Sequence, residues 1–271
     1  MTEPIACVLD KARPEDVVTS PFPHLVIEDA LPEATYRRLL DTRPEFEHVA
    51  WKGRMPSNRR VPYPAKRILE DPALDPVWPA FCRRHVLPDV FARVADLFRP
   101  HLERWHPALA RWLDEGGPRR PGLLDADGFE DCDMLADARL ELNTPVQGRP
   151  TSVRGPHLDL PNRLFSGLYY LRKPEDDTPG GELRLFRFRN GQPSHATAYA
   201  IPDDLVEAVR TVPYRGNTLV LFANSPHAVH GVSPRAQSPH TRSYVFLTAE
   251  IGHDLFGPNH NGGLHNAAMP S

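Results

Sequence analysis

The spacing of hydrophobic positions changes near residue 120 and divides the chain into two textures. In the first, Ser20-Pro21-Phe22-Pro23-His24-Leu25-Val26-Ile27 reads as a turn running into a short strand. Leu31 to Arg43 reads as a helix, with Pro32 early and Tyr36, Leu39 and Leu40 at three-to-four spacing. Residues 50–75, rich in proline and arginine and without period, read as loop. From Val77 to Glu115, Phe81, Val86, Val90, Phe91, Val94, Phe98, Leu102, Trp105, Leu109 and Trp112 recur at helical intervals, with breaks at Pro88, Pro100 and Pro107. That aromatic stripe predicts core packing. Residues 116–131 form a turn-rich connection marked by Gly116, Gly117, Pro118, Pro121 and Gly122.

Beyond it, short apolar runs alternate with turn residues. Ala138–Asn143, Ser166–Leu171, Glu182–Phe188, Thr218–Phe222 and Ser243–Ala249 predict strands of an all-β sandwich or barrel. Asp203 to Arg210, with leading acids and Leu205, Val206 and Val209, predicts one helical interruption. There is no internal repeat. The expected fold class is mainly β with N-terminal helices, in a single domain 1–271. A helical layer covers about 20–120, the β-core about 136–252, and a loop-rich tail 253–271.

Composition narrows the function classes. Of 271 residues, 40 % are hydrophobic and 25 % charged, the balance of a globular chain. A formal charge of −3 gives no electrostatic reason to expect nucleic acid as a partner. No apolar run reaches the roughly 18 residues of a membrane span. Met1-Thr2-Glu3-Pro4 lacks the basic start and apolar core of a secretory signal. Three dispersed cysteines, Cys7, Cys82 and Cys132, predict a reducing, cytoplasmic setting. All but four of the 32 basic residues are arginine, a bias that a GC-rich genome accounts for.

The 13 histidines are the starting point for metal chemistry. His157-Leu158-Asp159 places an imidazole and a carboxylate on one face of an extended segment. The other such pair, His101-Leu102-Glu103, falls in the helical region, where positions two apart diverge by about 200°, and is set aside. Past two further strand runs and Gly180-Gly181 lies Ser225-Pro226-His227-Ala228-Val229-His230-Gly231-Val232, where either histidine can complete a three-ligand set. Two histidines and a carboxylate leave open positions on an octahedral ion, the arrangement of non-haem Fe(II) oxygenases. Zinc hydrolysis fits less well, because there is no His-Glu-x-x-His and the cysteines are not clustered.

In that order of residues, about 140–250, the chain resembles the 2-oxoglutarate- and Fe(II)-dependent dioxygenases. A weaker likeness extends to Pro21–Pro32. The resemblance implies a double-stranded β-helix, a jelly-roll whose mouth holds the iron. It implies His157, Asp159 and His230 as metal ligands, since His230 precedes Gly231-Val232. It also implies Arg242 as the partner of the far carboxylate of 2-oxoglutarate, a role that suits a forked, permanent charge. Several subfamilies carry serine two residues later. Here that position is Tyr244, while Ser243 faces the other way. Asn143, on the preceding strand, is a candidate contact to co-substrate or substrate, and His227 to the surroundings of the site. Tyr169 and Tyr170 face opposite ways, and Arg184 is assigned to a solvated outer face.

The reaction implied consumes 2-oxoglutarate and O2, releases succinate and CO2, and oxidises an unactivated C–H bond, hydroxylation being the default outcome. Asp159 argues against halogenation, for which this family replaces the carboxylate. A small polar metabolite, such as an amino acid or natural-product intermediate, is the expected substrate. The N-terminal helices and the loops at 50–75 and 116–135 are expected to shape the mouth. Two alternatives remain at this stage: a cupin using another metal without 2-oxoglutarate, and a non-catalytic jelly-roll binding module.

Overall fold

The computed structural model describes residues 5–49, 56–193 and 200–257. Met1 to Pro4, residues 50–55 of the expected loop, and the expected tail from 258 onward lie outside the described residues.

The chain opens with β1 (His24–Ile27), α1 (Glu33–Asp41), α2 (Phe46–Val49), β2 (Arg60–Tyr63) and α3 (Ala65–Glu70). The expected helical stretch is four helices: α4 (Val77–His85), α5 (Pro88–Leu97), α6 (Arg99–Trp105) and α7 (Pro107–Asp114). The three prolines stand at the first or second position of α5, α6 and α7, where a missing N–H costs nothing. They start helices.

Eight strands follow: β3 (Pro121–Leu123), β4 (Met134–Asn143), β5 (Arg163–Tyr170), β6 (Leu183–Phe188), β7 (Val206–Val212), β8 (Thr218–Ala223), β9 (His230–Val232) and β10 (Arg242–Ile251). The large sheet has the order β1-β8-β5-β10-β4-β2, with β3 parallel to β4; the small sheet is β7-β6-β9. All pairings except β3 with β4 are antiparallel. The two sheets pack face to face over a shared core, as the layers of a jelly-roll do.

The large sheet is covered on both faces, so β5, β8 and β10 are buried throughout and read as apolar runs. On one face Leu140, Tyr169, Leu221, Val245 and Leu247 pack with Leu39, Trp78, Phe81 and Phe98 of the helical layer. On the other, Leu168, Tyr170, Phe222, Tyr244 and Phe246 meet Leu183, Leu185 and Val212 of the small sheet. Asn217 joins helix layer to sheet. Its side chain accepts from Leu31 N–H (3.0 Å) and Tyr169 O–H (2.8 Å) and donates to Leu31 C=O (2.9 Å).

Three expectations need correction. Asp203–Leu205 is a single 3-10 turn, and the remainder of the expected helix is β7. Val206, Val209 and Val212 repeat every three residues because the β6–β7 register shifts: Phe186 faces Ala208 whereas Leu185 faces Arg210. The extra residue, Val209, points to solvent, so a bulge imitates a helical period. Within 50–75, β2 and α3 are regular elements. Pro62 is tolerated because β2 is an edge strand. Finally, the helices back the large sheet and contribute no residue to the main cavity described below.

Among the described residues no helix is long and apolar enough to cross a membrane. Cys7, Cys82 and Cys132 are free thiols.

Candidate metal and anion site

A cavity of about 570 Å³ opens between the two sheets. Period-two alternation decides what reaches it. On β10, Arg242, Tyr244, Phe246 and Glu250 line the cavity, and on β4, Arg139 and Asn143 do. Ser243, of opposite parity, is buried on the helix side, where it accepts from Arg43 Nη1 (2.9 Å) and donates to Leu171 C=O (2.8 Å). Arg184, as expected, is exposed.

His157, Asp159 and His230 are all buried at this cavity, and one ligand atom from each lies within 4.8 Å of the others. His157 is not on a continuous strand. It forms a single antiparallel bridge with His230, N–H to C=O in both directions at 2.9 and 3.0 Å, which sets the two imidazoles side by side. Their ring centroids are 4.2 Å apart. Gly231 makes this bridge possible: a Cβ there would stand 2.7 Å from the carbonyl carbon and oxygen of Gly155.

The tautomers follow from the neighbours. His157 Nδ1 faces Gly155 C=O at 2.8 Å and His230 Nδ1 faces Ala228 C=O at 3.0 Å. A carbonyl only accepts, so each Nδ1 carries the proton and each Nε2 keeps its lone pair for the cavity. Those Nε2 atoms lie 3.8 Å (His157) and 3.6 Å (His230) from Asp159 oxygens. Burial pushes both imidazoles below their ordinary pKa, His157 further because His230 adds to the effect. Neutral imidazole is the ligating form.

Burial would push Asp159 up, but opposing charge wins. Arg163 Nη1 stands 3.1 Å from Oδ1, and Ser166 Oγ donates to Oδ2 at 2.5 Å. The carboxylate is held below its usual range. Arg163 is itself balanced by Glu250, Nη2 to Oε1 at 2.9 Å. Two neutral nitrogens and one anionic oxygen suit a borderline divalent ion better than a hard one, so the donor set fits iron.

Arg242 begins β10 directly opposite Asn143. Its guanidinium is buried against the rings of Tyr214, Tyr244 and Tyr170, at 4.6, 4.9 and 5.3 Å from the ring centroids. Its Nε and Nη2 have no hydrogen-bond partner, and neither does Asn143 Oδ1. A buried charge with orphaned donors is costly unless an anion completes it. The residues therefore fit a carboxylate at this point of the same cavity.

His157, Asp159, His230, Arg242, Asn143 and Tyr244 thus line one cavity. His227 does not line it and instead stacks on Trp105 at 5.8 Å. The loops at Asn58 and at Leu124–Asp125 reach the cavity, as expected of them. The sequence did not single out Ser166 and Arg163, nor Arg235, which also lines the cavity. Ser166 shares parity with Tyr170 on β5, a polar residue in an apolar run, and that was the available signal.

Residues 149–247 match the family model described as the 2OG-Fe(II) oxygenase superfamily. No curated protein matches the chain. Among solved structures, a prolyl-4-hydroxylase from Pseudomonas putida is similar, with 18 % identity over 84 % of this chain and 91 % of that one, at TM-score 0.41. HygX from Streptomyces hygroscopicus, with nickel and 2-oxoglutarate bound, shares 12 % identity over 84 % and 83 % of the two chains, at TM-score 0.42. The segment that holds the three clustered side chains and Arg242 is the one that matches this family model, as the order of its residues implied.

Proposed function

We propose that the protein is an Fe(II)- and 2-oxoglutarate-dependent oxygenase that hydroxylates an unactivated C–H bond of a small polar metabolite, such as an amino acid or natural-product intermediate. The observation that carries this reading is one cavity lined both by the His157/Asp159/His230 cluster and by the orphaned guanidinium of Arg242. A keto acid with a second carboxylate has the matching chemistry, a chelating end for an ion and an anionic end for a guanidinium. A cupin working without a keto acid would leave Arg242 buried and uncompensated.

Iron with 2-oxoglutarate and O2 supplies the oxidising power, yielding succinate and CO2 as by-products. The chain supplies geometry. His157, Asp159 and His230 would hold the ion at the cavity. Gly155 and Ala228 carbonyls fix which imidazole nitrogen is presented. Ser166 and Arg163 keep Asp159 ionised and aimed. Arg242, with Asn143 and Tyr244 beside it, grips the far carboxylate. The cavity volume falls within the range of small-molecule sites. Free cysteines suit a reducing compartment such as the cytoplasm.

The test is a succinate-release screen of the iron-loaded protein across metabolite pools, with His157→Ala as the blank. Substrate-dependent succinate from the wild type alone is the expected result. Equal succinate from the folded variant overturns the assigned site.

A further inference from the structure

We propose that Arg235 is a second arm of the carboxylate site, gripping the same group as Arg242 and making the cavity selective for a dicarboxylic keto acid. This rests on the reading of the cavity as a 2-oxoglutarate site, which by itself assigns Arg242 alone.

Arg235 and Arg242 both line the cavity, at 2 % and 3 % exposure. Their stems flank the same turn. A Cβ on Gly181 would stand 3.6 Å from Arg242 Cδ and Nε and 3.7 Å from Arg235 Cδ, and with φ at +81° that residue keeps its position open as glycine. Its neighbour Gly180, at φ +86°, lies under the peptide after Pro234, where a Cβ would overlap the Pro234 carbonyl. The glycine pair thus brings the turn beneath both arginines. Arg235 is also fixed by its backbone, which exchanges hydrogen bonds with Thr151 at 2.9 and 3.2 Å.

Charge and hydrogen bonding there are incomplete in a matching way. Arg235 Nη2 donates to His240 C=O, but its Nη1 has no partner, as is true of Arg242 Nε and Nη2. The nearby carboxylate, Asp176, has its Oδ2 3.9 Å from Arg235 Nη2 and 3.8 Å from Arg172 Nε, and that oxygen accepts no hydrogen bond. Burial lowers Arg235 from its ordinary pKa. Asp176 opposes that, while Arg242 and Arg172 add to it. One carboxylate thus serves two guanidiniums, with the Arg242 charge beside them. A bound carboxylate offers about four lone-pair sites, enough to accept from all three orphaned groups while supplying the missing negative charge.

Calorimetry on the Mn(II)-loaded protein tests this, with two ligands. One is 2-oxoglutarate; the other is 2-oxopentanoate, in which a methyl group replaces the far carboxylate. Arg235→Gln should weaken 2-oxoglutarate by about ten- to a hundredfold, the range for a lost charged hydrogen bond, and leave 2-oxopentanoate within about twofold. Arg235→Lys keeps charge and stem, guards against misfolding of the glutamine variant, and should lose less on the same ligand alone. Unchanged 2-oxoglutarate affinity in either folded variant, or equal loss for both acids, overturns the proposal and leaves Arg235 a structural residue. Binding of neither acid by the wild type overturns the 2-oxoglutarate reading, and this proposal with it.

Discussion

Ser166→Ala isolates what the protein does to its candidate carboxylate ligand, Asp159. Ser166 is fully buried on β5, and its hydroxyl donates to Asp159 Oδ2 at 2.5 Å. A hydrogen bond to a charged group contributes about 1.5–3 kcal/mol, so the metal-free protein should lose about that much stability. The loss in ion affinity should be smaller than the full range of about 10–100-fold for partners of metal ligands. Arg163 Nη1 still holds Oδ1 at 3.1 Å, so the carboxylate stays ionised and only its aim is relaxed. About tenfold, or ~1.4 kcal/mol, is the expected figure. Urea denaturation without metal reads the first quantity and Mn(II) calorimetry the second. A folded Ser166→Ala protein that binds Mn(II) as tightly as wild type would refute the claim that Ser166 positions Asp159 for an ion.

Other sites give sharper contrasts. Gly231→Ala must push β9 away from Gly155, since its Cβ would meet backbone at 2.7 Å; the His157–His230 bridge should open and Mn(II) affinity fall by at least about tenfold, and an unaltered titration contradicts this. Asn217→Ala removes three buried hydrogen bonds at φ 56° and should cost about 3–5 kcal/mol in urea denaturation. Mn(II) affinity of the folded variant should not change, because Asn217 serves the helix side of the sheet. His85 accepts from Val8 N–H and donates to Phe81 C=O, and burial pushes it down to about 4 from 6.5. The unfolded chain therefore takes up the proton first: stability is complete above about pH 6.5 and falls by about 3 kcal/mol toward pH 4. His85→Gln should flatten that slope, and an unchanged slope would assign it elsewhere.

Much of this architecture is legible because burial on both faces turns strands into unbroken apolar runs, as in β5, β8 and β10. The candidate ligand triad was legible because His157, Asp159 and His230 come in an order with a known counterpart. What stayed hidden has physical causes. A bulge at Val209 gave β7 a spacing of three, and Pro62 disguised an edge strand as loop. The supporting residues were invisible for another reason. Ser166 and Arg163 matter only through contacts with Asp159, and Arg235 only through a glycine turn that brings it beside Arg242. Arginine is also so abundant in this chain that composition gave no hint of which ones face the cavity. His227, three residues from the candidate ligand His230 and of the same type, stacks on Trp105 instead, a contact across elements that spacing alone does not reveal.

The central claim is that one cavity holds an iron ion through three side chains and a keto acid through a guanidinium. Anaerobic titration of 2-oxoglutarate into the Fe(II)-loaded protein measures this most directly, through the weak visible charge-transfer band of the chelate. The account predicts the band in the wild type and its loss in folded His157→Ala, Asp159→Ala and His230→Ala proteins. A wild type that folds, takes up iron and gives no band, or variants that retain it, would contradict the account.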